Sequence, residues 1–341
     1  MKKEESKVIA QKLQKIPNGT LALKHCRAGG TGTTLFGEQF RAVTAGKEGV
    51  MEAYETFPGI EVSFNVFLAS EVKFRHDASD SVLEIYYCRS GRVGWNMQGG
   101  TAVYLGTGDV TAHSMACCAD SAMMFPLGYS EGISISVDLK QLSSICPEVL
   151  KNASVEADQL QNRFCSGKPS AIPSCSDLEH IFAPLFSTPV SVRISLLKLK
   201  VLEILIYLSN MKSEHKELTQ YFSQQTELIK EIHQQLTEHL NQRFTIAELS
   251  KQYLINTSTL KEIFKAVYGQ PIATYMKEFR VRQAMKLLRE TNDTIADIAS
   301  QVGYQTQGKF SSAFQSIVKI SPREYRKIQG IAPSDSFSKT L

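Results

Sequence analysis

The stretch TIADIASQVGYQTQGKFSSAF, Thr294–Phe314, decides the fold of the carboxy-terminal part of this chain, because its pattern is already present at Thr245–Phe264 as TIAELSKQYLINTSTLKEIF. In each copy a threonine precedes an acidic residue by three positions, Thr245 before Glu248 and Thr294 before Asp297, the reciprocal pair that opens a helix. Ile246, Leu249 and Tyr253 then make one apolar stripe, and Ile295, Ile298 and Val302 make its counterpart. Asn256 and Thr306 are placed to cap second helices, with Leu260, Ile263, Phe264 and Val267 inward in one copy and Phe310, Ala313 and Phe314 inward in the other. The first helices are offset by 49 residues and the second by 50, so one residue has been added in the turn.

Between the copies, Gly269 ends one helix and Pro271 starts another, whose apolar residues Ile272, Tyr275, Met276, Phe279, Ala284, Leu287 and Leu288 carry it to about Glu290. A helix of roughly 20 residues spans about 30 Å. That is close to the roughly 34 Å between successive major grooves on one face of duplex DNA. The expected domain is therefore two helix-turn-helix units on a rigid rod, closed by a short helix after Ser321-Pro322.

The order of these motifs, IAELS, STLKEIFK, PIATYM, TIADIASQVGY, GKFSSAFQ and ISPREYR, resembles the DNA-binding domain of the AraC/XylS family of bacterial transcription regulators. The chain departs from the family pattern at Leu254, where a turn glycine is usual, and at Ser312 and Ile320. The resemblance implies double-stranded DNA as partner, with RNA polymerase and a second copy of the chain as further expected partners, and a separate part that senses a small-molecule effector. The outward face of the first unit's second helix presents Ser258, Lys261, Glu262 and Lys265. In the second unit the outward residues are Gly308, Ser311, Ser312 and Gln315, edged by Gln307 and Lys309. Lysine and glutamine suit guanine and adenine edges, glutamate accepts from cytosine, and a lysine farther along the helix suits phosphate.

Charge agrees in sign. From Thr226 to Gly330 there are 15 Lys plus Arg against 10 Asp plus Glu, whereas Met1–Gln225 carries 22 against 23. The surplus sits on the repeated half, as a polyanionic partner requires. The seven cysteines are irregularly spaced with no Cys-x-x-Cys pair, which argues against a disulfide framework. The apolar run Val201–Leu208 is interrupted by Glu203 and is short of the roughly 20 residues a membrane helix needs. No apolar segment follows the early lysines, so a cytoplasmic protein without a membrane partner is expected.

Before Leu139 the texture is strands and turns: GISISV at Gly132–Val137 alternates strictly, and SVLEIYYC and VYLGTGDV are apolar runs bounded by glycine turns. The expected fold class is α+β in two domains, with a β-rich cupin-like (jelly-roll) domain and trailing helices before an all-α domain. The expected boundaries are a sensing and dimerisation domain over 1–211, a linker over 212–225, the DNA-binding domain over 226–330 and a flexible tail over 331–341. Ser191–Met211 is an amphipathic helix that packs on the sensing barrel or pairs with its copy in a dimer. Tyr87, Trp95, Met97, Tyr104 and Phe125 are candidate pocket residues, apolar and aromatic as ligand sites require. His25, His76 and His113 lack the spacing of a metal set, so neither metal, cofactor nor catalytic residue is expected. The alternatives are a cupin-type enzyme fused to a DNA-binding domain and a regulator without a small-molecule ligand.

Overall fold

The computed structural model describes residues 21–26, 41–44, 48–75, 78–97, 99–119, 121–211 and 217–329. The amino-terminal lysines, His76, residues 212–216 of the expected linker and the expected tail over 331–341 lie outside them. The chain divides into two compact units, Met1–Ser223 and Gln224–Leu341.

The first unit is β-rich. Its strands are β1 (Leu21–Cys26), β2 (Arg41–Thr44), β3 (Glu48–Phe57), β4 (Ile60–Leu68), β5 (Glu71–Arg75), β6 (Val82–Gly91), β7 (Val93–Met97), β8 (Thr101–Leu105), β9 (Val110–Ser114), β10 (Ala122–Met124), β11 (Ser130–Asp138), β12 (Ser170–Ile172) and β13 (Tyr221–Phe222). They form a seven-stranded sheet in the order β1-β3-β4-β11-β6-β9-β12 and a six-stranded sheet in the order β13-β8-β7-β10-β5-β2. β1 joins β3 in parallel, and β11 lies antiparallel between β4 and β6.

Strand alternation distributes the larger sheet between two cores. Leu83, Ile85 and Tyr87 of β6, with Ile133, Ile135 and Val137 of β11, enter an apolar cluster with the trailing helices. Tyr86 and Cys88 enter a second cluster with Trp95, Met97 and Val103 from the smaller sheet and Phe125 just after β10. The helices are α1 (Leu139–Ser144), α2 (Glu148–Asn152), α3 (Ala157–Phe164), α4 (Ser176–Phe182) and α5 (Arg193–Asn210). Leu197, Val201, Ile204, Leu205 and Leu208 of α5 are buried within the first cluster, so the apolar stripe of this helix is covered inside its own unit.

The second unit is helical. Its elements are α6 (Ser223–Glu238), α7 (Ile246–Gln252), α8 (Thr257–Tyr268), α9 (Ile272–Glu290), α10 (Ile295–Gln301), α11 (Gln307–Val318) and α12 (Pro322–Gln329). The long helix α9 serves two cores. Tyr275, in its first half, meets Phe264 of α8 edge-on with ring centroids 5.6 Å apart. Val281, Ala284 and Leu288 farther along pack with Ile298, Phe310, Phe314 and Tyr325. One continuous backbone thus enters the cores of both copies. Among the described residues no helix is long and apolar enough to cross a membrane.

Candidate nucleic-acid interface and ligand cavity

The two copies match element for element. α7 and α10 have seven residues each, and α8 and α11 have twelve each. The Thr245 hydroxyl accepts from the Glu248 amide while the Glu248 carboxylate accepts from the Thr245 amide at 2.7 Å. Thr294 and Asp297 repeat the box, with the return bond longer at 3.3 Å because aspartate is one methylene shorter. Asn256 accepts from the Ser258 amide at 2.8 Å, and Thr306 from the Lys309 amide at 3.3 Å, so each second helix begins at a satisfied cap.

This capping orients the polar faces. Leu260, Ile263, Phe264 and Val267 are buried, so Ser258, Lys261, Glu262 and Lys265 stand exposed on the opposite side of α8. Phe310 and Phe314 are fully buried, leaving Gln307, Gly308, Lys309, Ser312 and Gln315 exposed and Ser311 half-buried on α11. The arginines of α9 are occupied elsewhere. Arg282 lies 3.8 Å from Glu278 and over the Phe279 ring, and Arg289 donates to the Tyr325 hydroxyl at 2.9 Å.

Arg280 is different. Its guanidinium donates to the carbonyls of Leu240 and Gln242, each at 3.3 Å, while its Nε has no hydrogen-bond partner among the described residues. It forms the floor of a cleft of about 310 Å³ lined by Asn241, Arg243, Arg280, Gly303, Tyr304, Gln305 and Lys309. Burial, reinforced by nearby Arg243, holds the Arg280 pKa below its ordinary value. Three cations around a concave site at the mouth of α11 suit a phosphate oxygen. Of the three, only Lys309 is visible as a candidate from helix periodicity. Arg243 precedes α7 and Arg280 lies in α9, and packing alone brings them together.

In the first unit a cavity of about 50 Å³ opens between the sheets. By the ~10–15 Å³ that each water needs, it has room for about three to five waters. Of the five expected pocket residues, Trp95 lines it. Tyr87 does not: it lies on the other face of its sheet, stacked on Phe182 with centroids 4.3 Å apart. Its neighbour Tyr86 faces the cavity instead, meeting Trp95 edge-on at 4.9 Å. Met97, Tyr104 and Phe125 are buried outside the lining, with Phe125 stacked on Phe67 and the Tyr104 hydroxyl 3.9 Å from the Met124 sulfur. The residues missed are polar. Asn65, Glu84, His113 and Ser134 line one side, and Asn65 is fixed by accepting from Ser63 at 2.8 Å and donating to Ser134 at 2.7 Å. Glu84 is 6% exposed, its carboxyl takes a Ser136 hydroxyl, and its Oε1 has no partner among the described residues. Burial, with Glu61 adding repulsion, pushes its pKa up to about 8.

Comparison with known proteins places the second unit. The helix-turn-helix domain family matches residues 249–328. The HTH-type transcriptional activator RhaR of Mannheimia succiniciproducens is 34% identical over 91 residues, 27% of this chain and 33% of that protein. A putative AraC-like transcription regulator of Streptomyces lividans is 38% identical over 84 residues, 25% of this chain and 28% of the relative. The match thus spans about a third of the length of these curated relatives. Among solved structures, the C-terminal domain of AraT from Geobacillus stearothermophilus is 26% identical, with 33% of this chain and 93% of that one covered and a TM-score of 0.31. Fatty-acid-bound ToxT from Vibrio cholerae covers 81% of this chain and 97% of its own at 13% identity and a TM-score of 0.31. The carboxy-terminal unit is a helix-turn-helix domain. It is of the AraC type.

Proposed function

We propose that the chain is a sequence-specific DNA-binding transcription regulator that reads two successive major grooves, one with α8 and one with α11. The observation that carries this reading is the pair of twelve-residue helices, each with a buried apolar face and an exposed polar one, on either side of the nineteen-residue α9. A helix of that length spans about 28 Å at about 1.5 Å per residue. That approaches the roughly 34 Å of one duplex turn. Lys261 and Glu262 read base edges, Lys265 and the cleft of Arg243, Arg280 and Lys309 hold phosphates, and the short side chains of Gly308, Ser311 and Ser312 let α11 approach closely. Gln307 and Gln315 complete its polar edge, and Ser258 lies at the start of α8.

The β-rich unit is read as a cupin-like barrel that takes a small-molecule effector in the cavity beside Glu84 and Trp95. Two mostly antiparallel sheets in which distant strands become neighbours support that reading. A homodimer, contact with RNA polymerase and an activating role rest on the resemblance and on the activator name of a relative. Selection of bound sequences from a random DNA pool, followed by hydroxyl-radical footprinting, tests the function. The expected result is two protected patches about 10 base pairs apart on one face of the duplex. A single patch, or no enrichment of any sequence, rejects it.

A further inference from the structure

The cavity of the β-rich unit is asymmetric in charge as well as polarity. Among the described residues its lining includes the Glu84 carboxyl and the His113 imidazole but neither Lys nor Arg. Glu61 stands near enough to Glu84 to repel it. Among the described residues an anionic ligand therefore finds no Lys or Arg counter-charge there. Beside the polar groups, Phe67 and Tyr86 stand two residues along from Asn65 and Glu84 on the same faces of β4 and β6, and Trp95 of β7 adds aromatic surface from the smaller sheet. One buried oxygen, Glu84 Oε1, is left without a partner among the described residues, and a buried polar atom in that state calls for a hydrogen-bonding group from outside them. Among the described residues no three His, Cys, Asp or Glu side chains converge as a metal site would require. A carboxylate flanked by aromatic rings, without metal ligands, is the chemistry that holds an organic cation.

From this arrangement we infer that the cavity takes a compact alkylammonium ion, its N–H groups donating to Glu84 and its alkyl body lying against Tyr86 and Trp95. The inference rests on the proposed reading of this unit as the effector-binding part and specifies the class of effector. The size of the cavity limits the ligand to a few heavy atoms, since it holds about three to five waters. The Ser134 hydroxyl, which accepts from the Asn65 amide, keeps its own hydrogen for a second polar group on the ligand. Proton linkage supports the same partner. Glu84 is mostly protonated below about pH 8 and must lose that proton to form an ion pair, so the affinity for a cation rises with pH through that range. The groups that share its field are Glu61 on β4, His113 on β9, Cys118 in the turn after β9, and Cys165 after α3.

The test titrates n-propylammonium chloride into the full chain, with n-propanol and sodium propionate as neutral and anionic probes of the same size, and reads calorimetric binding and the melting temperature. Propylammonium is expected to bind and raise the melting temperature while the other two leave it unchanged. Glu84→Gln should lower the amine affinity at least about tenfold, the cost of losing one charge-assisted pair. From pH 7 to pH 9 the affinity of the unaltered chain should rise about tenfold, and that of Glu84→Gln should stay flat. Trp95→Leu gives a second arm with the carboxyl intact, and a several-fold loss is expected. Equal binding of propanol or propionate overturns the cationic class while leaving an effector cavity in place. No binding of propylammonium at millimolar concentration, or unchanged binding in Glu84→Gln, overturns the inference outright. Amine binding that leaves DNA affinity unaltered upholds the site and overturns the regulatory role given to this unit.

Discussion

Leu254 and Gly303 occupy the same place in the two copies, the turn after the first helix, and both have left-handed backbone, with φ of 52° and 83°. Only the second copy has the residue that adopts this conformation without strain. Leu254 is also 94% exposed, so its side chain gains little from packing. At Gly303 an added Cβ would collide with the carbonyl oxygen of Leu240. The ends of the second helices reverse the pattern, with Gly269 at φ 85° closing α8 and Lys319 at φ 70° closing α11.

Two substitutions at this turn should therefore act in opposite directions. Leu254→Gly relieves a left-handed strain of about 1–2 kcal/mol, offset by about 0.5–1 kcal/mol of added chain entropy, for a net gain of up to about 1.5 kcal/mol. Gly303→Ala adds that strain to a backbone collision and should cost about 2–4 kcal/mol. Urea unfolding of the two variants checks both signs; a neutral Gly303→Ala would mean that the α10–α11 turn is free to move away from Leu240.

On the α8 face, Lys261→Ala should cost about 1–3 kcal/mol on the selected DNA site and relax preference at one base pair. Lys265→Ala should weaken selected and random DNA alike and reduce the salt dependence of binding by about one unit. Equal losses on both DNAs for Lys261→Ala would remove its base-reading role.

The cleft beside α11 gives a prediction that does not follow from helix periodicity. Arg243→Ala should weaken binding to all duplexes similarly and flatten the salt slope by about 0.9 for each phosphate lost. It should leave the melting temperature near that of the unaltered chain, since Arg243 is exposed. Arg280→Ala should lower both, because that guanidinium also holds the carbonyls of Leu240 and Gln242. A full salt slope in both variants would show that the cleft carries no phosphate.

His233 makes the second unit sensitive to acid. It stacks on Tyr268 at 4.3 Å, hydrogen-bonds the Tyr275 hydroxyl at 2.8 Å, and burial depresses its pKa from 6.5 to about 4. The folded state then binds this proton less readily than the unfolded one. Stability from this group is full above the unfolded pKa and falls as pH descends from 6.5 towards 4. The loss is on the order of 3 kcal/mol at about 1.4 kcal/mol per unit. Unfolding free energies between pH 7 and pH 4 should fall less steeply in His233→Phe than in the unaltered chain, and parallel curves would refute the assignment.

The helices of the second unit were readable because their signals are local. A capping box spans four residues and an apolar stripe two turns, and each survives whatever lies around it. The Leu254 turn shows where that reading ended: a leucine gives no sign that its backbone is left-handed, whereas Gly303 does. In the first unit the strands were legible but their faces were not. Both sides of the larger sheet are buried, so Tyr86 and Tyr87 look equivalent in the sequence, and only the packing of helices against one face sends Tyr87 to Phe182 and Tyr86 to the cavity.

By itself, the amino-acid sequence determined the paired helices, their caps, the rod between them and the basic surplus, since each depends on residues within a few positions or on simple addition of charge. The tertiary structure alone decided that Glu84 and Trp95 line one cavity and that Arg243, Arg280 and Lys309 converge. Those neighbours come from separate segments of the chain, and closing the intervening loops is achieved only by the cores that hold them together.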